Sequence, residues 1–155
     1  MTGPPTIQPP AQRNQRNIDT DHLDLLAVFH FIGAGLAVLG IFFLIMHFTA
    51  FHILMSHAQA WQNQSQMPVS PAELFAIFQV FYLFVGAWFL ASAVLNLVSG
   101  LFIRARQHRT FSLVVAGLNC LHIPLGTILG VFTIIVLLRD SVRELYDAAS
   151  TGATL

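Results

Sequence analysis

The sequence has no lysine, a single cysteine (Cys120) and only 9% charged residues, against about 25% in an ordinary soluble domain. Its seven arginines and seven acids cancel to a formal net charge of zero. That excludes a nucleic-acid binder working by bulk charge, which needs a basic surface. Fourteen charges are also too few to cover a soluble globule of 155 residues,. One cysteine excludes an intramolecular disulfide framework and any zinc site built on paired cysteines. No HExxH, GxSxG, P-loop or GxGxxG motif is present, and no enzymatic activity is expected. What the chain does have is apolar residues, 55% of the total. That fraction excludes a disordered protein and points to an all-α integral membrane protein.

The charges mark out the organisation. Five fall in 1–24, one is Glu73, three are in 104–109 and five in 139–147; the stretches 25–72, 74–103 and 110–138 have none. A spanning helix needs about 20 mostly apolar residues, and each stretch holds such a run: Leu23 to Met55, Leu74 to Ile103 and Phe111 to Leu138. The expected fold is a membrane bundle of three long hydrophobic helices, the third kinked or re-entrant at Pro124, which removes a backbone donor and crowds Cys120. Residues 1–18, with four prolines and several amides, read as a disordered tail. Residues 19–147 form the membrane domain, and 148–155 a flexible C-terminus. Helix one should start near Thr20, with Asp21 and Asp24 in its first turn. Ser70-Pro71-Ala72-Glu73 is a capping box with proline at the first helical position. Ser141-Val-Arg-Glu144 is a second capping box, opening either a short interfacial helix or a continuation of helix three.

Arginine near membrane ends marks the cytoplasmic side. Arg13 and Arg16 before helix one, and Arg104, Arg106 and Arg109 between helices two and three, put the N-terminus inside and the uncharged loop 57–70 outside. Arg139 and Arg143 leave two arrangements open. Three true spans place them outside. A re-entrant hairpin turning at His122–Gly126 keeps all seven arginines inside, but its limbs are too short to span ~30 Å and need protein around the turn.

Polar residues in hydrocarbon need partners. Counted from the cytoplasmic ends at 1.5 Å per residue, His30, Asn96 and Asn119 lie at about the same depth, ~10–12 Å, with His122 about a turn deeper. These four form a candidate intramembrane polar cluster. One reading is a hydrogen-bonded clasp between helices. Another is a proton-, ligand-, haem- or pigment-binding site using His30 and His122, although no acid in the spans completes a metal site. His47, His52 and His57 recur every five residues, so they do not share one helix face; Gln79 is a candidate partner for one of them. Gly33 and Ala37, and Gly126 and Gly130, are small residues four apart that suit close helix packing, within one chain or between copies.

The stretch from Asn119 to Tyr146, with its Pro124-Leu-Gly-Thr-Ile-Leu-Gly130 core, resembles the C-terminal signature of a family of small uncharacterised bacterial inner-membrane proteins. His22–His30 resembles their first-helix opening. Together these cover about a quarter of the chain. The resemblance implies an inner-membrane protein without assigned activity, in which His30 and the Pro124–Gly130 turn act together. It carries over no catalytic residue. The expected role is an accessory or scaffold subunit of a larger membrane complex, or a homo-oligomer, with the lipid bilayer as partner, no nucleic acid and no resident cofactor. The alternative is a ligand- or cofactor-binding protein.

Overall fold

The computed structural model describes residues 10–62 and 71–151. Among them the elements are all helical: α1 (Pro10–Gln62), α2 (Pro71–Ala105), α3 (Arg109–Asn119), α4 (Leu125–Leu137) and α5 (Asp140–Thr151). The first nine residues, the Ser70 cap and the last four residues lie outside the described part. Two helices are long and apolar enough to cross a membrane, within Asn17–His57 and Phe75–Ala105; α4 and α5 would add a third span only across a 73° bend. The chain thus has the elements of an integral membrane protein.

Helix α1 starts ten residues before the expected Thr20 cap, so residues 10–18 are helix rather than tail. Polar side chains find partners along this turn. Gln15 donates to Asp19 at 3.3 Å, and Asp19, fully buried, pairs with Arg139 at 3.3 Å. At the other end, α5 runs to Thr151, four residues into the expected flexible terminus, where the Ser150 and Thr151 hydroxyls bond back to the Asp147 carbonyl.

The expected third long helix is not one helix. Residues 109–119 and 125–137 form two short helices separated by a turn that contains the cis Ile123–Pro124 peptide. The turn is stitched by Thr127, whose amide donates to the His122 carbonyl (3.1 Å) and whose hydroxyl donates to the Cys120 carbonyl (2.9 Å). α3 and α4 then run antiparallel. Arg109, at the start of α3, donates through Nε to the carbonyl of Leu137, at the end of α4, over 2.7 Å. Two glycines allow this close approach: a Cβ on Gly130 would strike the Ala116 carbonyl oxygen and Cys120, and one on Gly126 would strike His122 and the Asn119 carbonyl. The contact is backbone against side-chain-free backbone, as small-residue motifs in lipid provide. The Gly126–Gly130 pair therefore packs within the chain.

The chain divides into two compact units. One comprises residues 34–94, the C-terminal part of α1 and most of α2. These pack antiparallel through aromatic side chains: Phe89 over Gly40, Phe48 edge-on to Tyr82, and Phe51 against Phe75 and Phe78. His47 meets the Tyr82 hydroxyl at 2.5 Å. Phe42, Phe43, Val80, Leu83 and Phe84 are exposed, a surface suited to lipid and poorly suited to water.

The other unit contains residues up to 33 and from 95 onward. Its apolar core joins Leu23, Leu26 and Ala27 of α1, Ile103 of α2, Val136 and Leu137 of α4, and Val142, Leu145 and Tyr146 of α5. α5 is an amphipathic helix of its own. It starts one residue before Ser141 and buries Val142, Leu145 and Tyr146, while Arg143, Glu144, Asp147 and Ala149 stay exposed. Its packing gathers the charges at one end of this unit: Arg139 reaches Asp19, and Arg106 reaches Thr20 at 3.5 Å.

Candidate functional site

A layer of buried polar side chains crosses the second unit. His30 comes from α1, Asn96 from α2, Asn119 from α3 and Thr133 from α4; all four are buried. Each sits on a face that the helical spacing turns inward. His30 follows Leu26 and Ala27 on one stripe, Asn96 precedes Ser99 and Ile103, and Asn119 ends the buried row Ser112, Val115, Ala116. Gly33 gives room beside the layer: a Cβ there would lie 3.5 Å from Asn96 Oδ1, an ordinary contact.

The two asparagines form a reciprocal amide pair. Asn96 Nδ2 donates to Asn119 Oδ1 at 3.0 Å, and Asn119 Nδ2 donates to Asn96 Oδ1 at 2.8 Å. Asn96 Oδ1 also lies 3.0 Å from His30 Nδ1. An amide oxygen only accepts, so His30 carries a proton on Nδ1 and donates it to Asn96. On the opposite edge of the ring, Nε2 lies 3.3 Å from the Thr133 hydroxyl. That hydroxyl donates to the Leu129 carbonyl at 2.7 Å. Four helices are thus joined through one continuous set of hydrogen bonds, and both nitrogens of the imidazole face protein partners.

Three of the four residues of the sequence-derived cluster, His30, Asn96 and Asn119, meet in this network. His122 does not. It sits in the α3–α4 turn, half-buried, where the chain reverses. Thr133 takes the fourth place, and the sequence reading overlooked it. Its signal depends on the hairpin. Counted from Arg139 as an inner end, Thr133 is six residues in, about 9 Å, close to the depth of His30. Counted along an outward span, it falls at the far end. Pro124 lies in the turn, and Gly126 and Gly130 line the α3–α4 contact. Ala37 is buried within the aromatic unit.

Among the described residues no three His, Cys, Asp or Glu side chains are grouped to hold a metal ion. The polar layer holds one imidazole, two amides and one hydroxyl. Such a set can pass hydrogen bonds and hold helices in register. No protein-family model, curated protein or solved structure matches the chain.

Proposed function

We propose that the chain is a small, non-enzymatic, multi-pass protein of the cytoplasmic membrane that acts by packing, as an accessory or scaffold subunit or as a homo-oligomer. The observation that carries this reading is the engagement of both His30 ring nitrogens by Asn96 and Thr133. A histidine that ligates haem or a metal presents a free lone pair to it; here both ring nitrogens face side chains of neighbouring helices. The polar layer is then an internal clasp, and the exposed apolar faces meet lipid and partner helices.

In this reading α1 and α2 cross the bilayer, and the α3–α4 hairpin enters and leaves on the cytoplasmic side, its turn, where Leu121, Ile123 and Leu125 are exposed, covered by partner helices. Both ends of the chain are cytoplasmic. Support comes from the arginines, all seven of which then lie on one side,. The resemblance of the Asn119–Tyr146 stretch is the ground for a bacterial inner membrane.

The test is purification in mild detergent with a visible spectrum and a native mass. The expected result is a colourless protein whose native mass corresponds to more than one chain or to a chain with a stoichiometric partner. A Soret or pigment band that disappears in His30→Ala would replace the clasp by the cofactor-binding reading.

A further inference from the structure

At the charged end of the second unit, the loop between α2 and α3 faces α5 across an open cleft of about 610 Å³. Three guanidinium side chains line it, Arg106, Arg109 and Arg143, together with His108, Tyr146 and one carboxylate, Asp147. Arg106 also reaches the Thr20 hydroxyl at 3.5 Å; the three cations lining the cleft outnumber its one acid, an excess that a bound anion offsets. Arg109 is fixed by its Nε bond to the Leu137 carbonyl, which leaves its terminal nitrogens for another acceptor. Arg143 is exposed on α5.

Two further features converge on the same cleft. The N-terminus of α3, an 11-residue helix, opens at Arg109 and Thr110, and its N-cap residue His108 makes no side-chain cap bond. The first backbone N–H groups of a helix have no carbonyl one turn earlier to bond and carry the positive end of the dipole. Independently, Tyr146 is only 6% exposed, and its hydroxyl has no hydrogen-bond partner. Burial pushes that hydroxyl up to about 12, while Arg109 and Arg106 pull it the other way. At neutral pH it is therefore a donor without an acceptor, lying within the field of two guanidiniums. A buried orphan donor is rare in a folded protein, and a phosphate oxygen drawn between the arginines supplies what it lacks.

We infer that this cleft binds the phosphate of an anionic lipid headgroup at the cytoplasmic membrane surface. The lipid assignment rests on the membrane reading above: Arg106 lies three residues beyond the apolar stretch 74–103 and Arg109 directly precedes 110–138, which puts the cleft at headgroup depth,. Guanidinium forks and helix N-terminal amides are both suited to phosphate.

The experiment titrates the full chain, in neutral detergent, with a fluorescent short-chain phosphatidylglycerol, with phosphatidylcholine and inorganic phosphate as competitors. Arg143→Gln and Tyr146→Phe are the variants, since one changes an exposed residue and the other keeps the ring. Saturable binding of phosphatidylglycerol that phosphatidylcholine fails to displace is expected, weakened about tenfold in each variant. Unchanged affinity in both variants, or equal competition by phosphatidylcholine, overturns the site. If inorganic phosphate binds as tightly as the lipid, the assignment to a lipid is overturned. Should Tyr146→Phe fail to fold, Arg143→Gln alone decides. Flotation with pure phosphatidylcholine vesicles tests the membrane reading separately, because it needs no anion in the cleft.

Discussion

Replacing Asn96 by leucine tests whether the polar layer is a clasp. The substitution removes at least three hydrogen bonds: one from His30 Nδ1 at 3.0 Å and two to and from Asn119 at 3.0 and 2.8 Å. Interhelical bonds in membrane proteins average about 0.6 kcal/mol and reach about 1–2; a buried group left unpaired costs about 1–3 kcal/mol. Asn96→Leu is therefore expected to destabilise by about 2–4 kcal/mol. Asn119→Leu loses two bonds and should cost about 2 kcal/mol. The double variant removes both amides and leaves the His30 nitrogen without its Asn96 acceptor. It should be no worse than Asn96→Leu alone, a coupling of about 2 kcal/mol against additivity. The assay is reversible unfolding in mixed micelles by added dodecyl sulfate, followed by circular dichroism, with the exposed Leu97→Ala as control. Additive costs for the two asparagines, or a loss for Asn96→Leu as small as the control's, would refute the reasoning.

Gly130→Ala should cost about 1–3 kcal/mol in the same assay, because its Cβ meets the backbone of α3, which has no room to move,. Gly33→Ala should be nearly neutral, since its nearest neighbour would lie at 3.5 Å. A reporter fused after Leu155 should read cytoplasmic, and so should one fused before Met1; an external C-terminal signal would contradict the hairpin orientation. Tyr146 is raised from 10.0 to about 12 by burial, so the folded state favours its neutral form. The stability tied to that form is complete below pH 10 and is lost as pH rises through 12. An alkaline unfolding curve should show this fall in the wild-type protein and a shallower one in Tyr146→Phe.

The end-marking charges made much of this legible. With the inner helix ends set at Leu23, Ile103 and Phe111, counting residues inward put His30, Asn96 and Asn119 at one depth, and they share hydrogen bonds. Pro124 marked the break in the third hydrophobic stretch. Whether the chain bends or turns back there depends on the residues beyond the proline. The return comes from Gly126 and Gly130 seating α4 on the backbone of α3, a tertiary contact that a single-helix pattern does not reveal. Thr133 and the Asp19–Arg139 pair, 120 positions apart, depend on that return. The early start of α1 was hidden for another reason. Residues 10–18 have the composition of a solvated tail, and the Arg139 partner that anchors their end at Asp19 comes from the far end of the sequence.

The α3–α4 hairpin also bears on how the chain enters a bilayer. A third full crossing would carry Arg139, Asp140, Arg143, Glu144 and Asp147 through the hydrocarbon during insertion. In the proposed orientation, with the chain turning back, only the segment between α1 and α2 is translocated. From residue 57 to 72 that segment has no Asp, Glu, Lys or Arg, and Glu73 is the lone charge after it. Moving one elementary charge against a membrane potential involves about 2.3 kcal/mol per 100 mV. A chain that leaves every arginine where it was synthesised faces no such barrier, and the potential, negative inside, favours the outward passage of Glu73. Insertion can then proceed by burying two apolar helices and folding the hairpin against them from the side on which the chain is made.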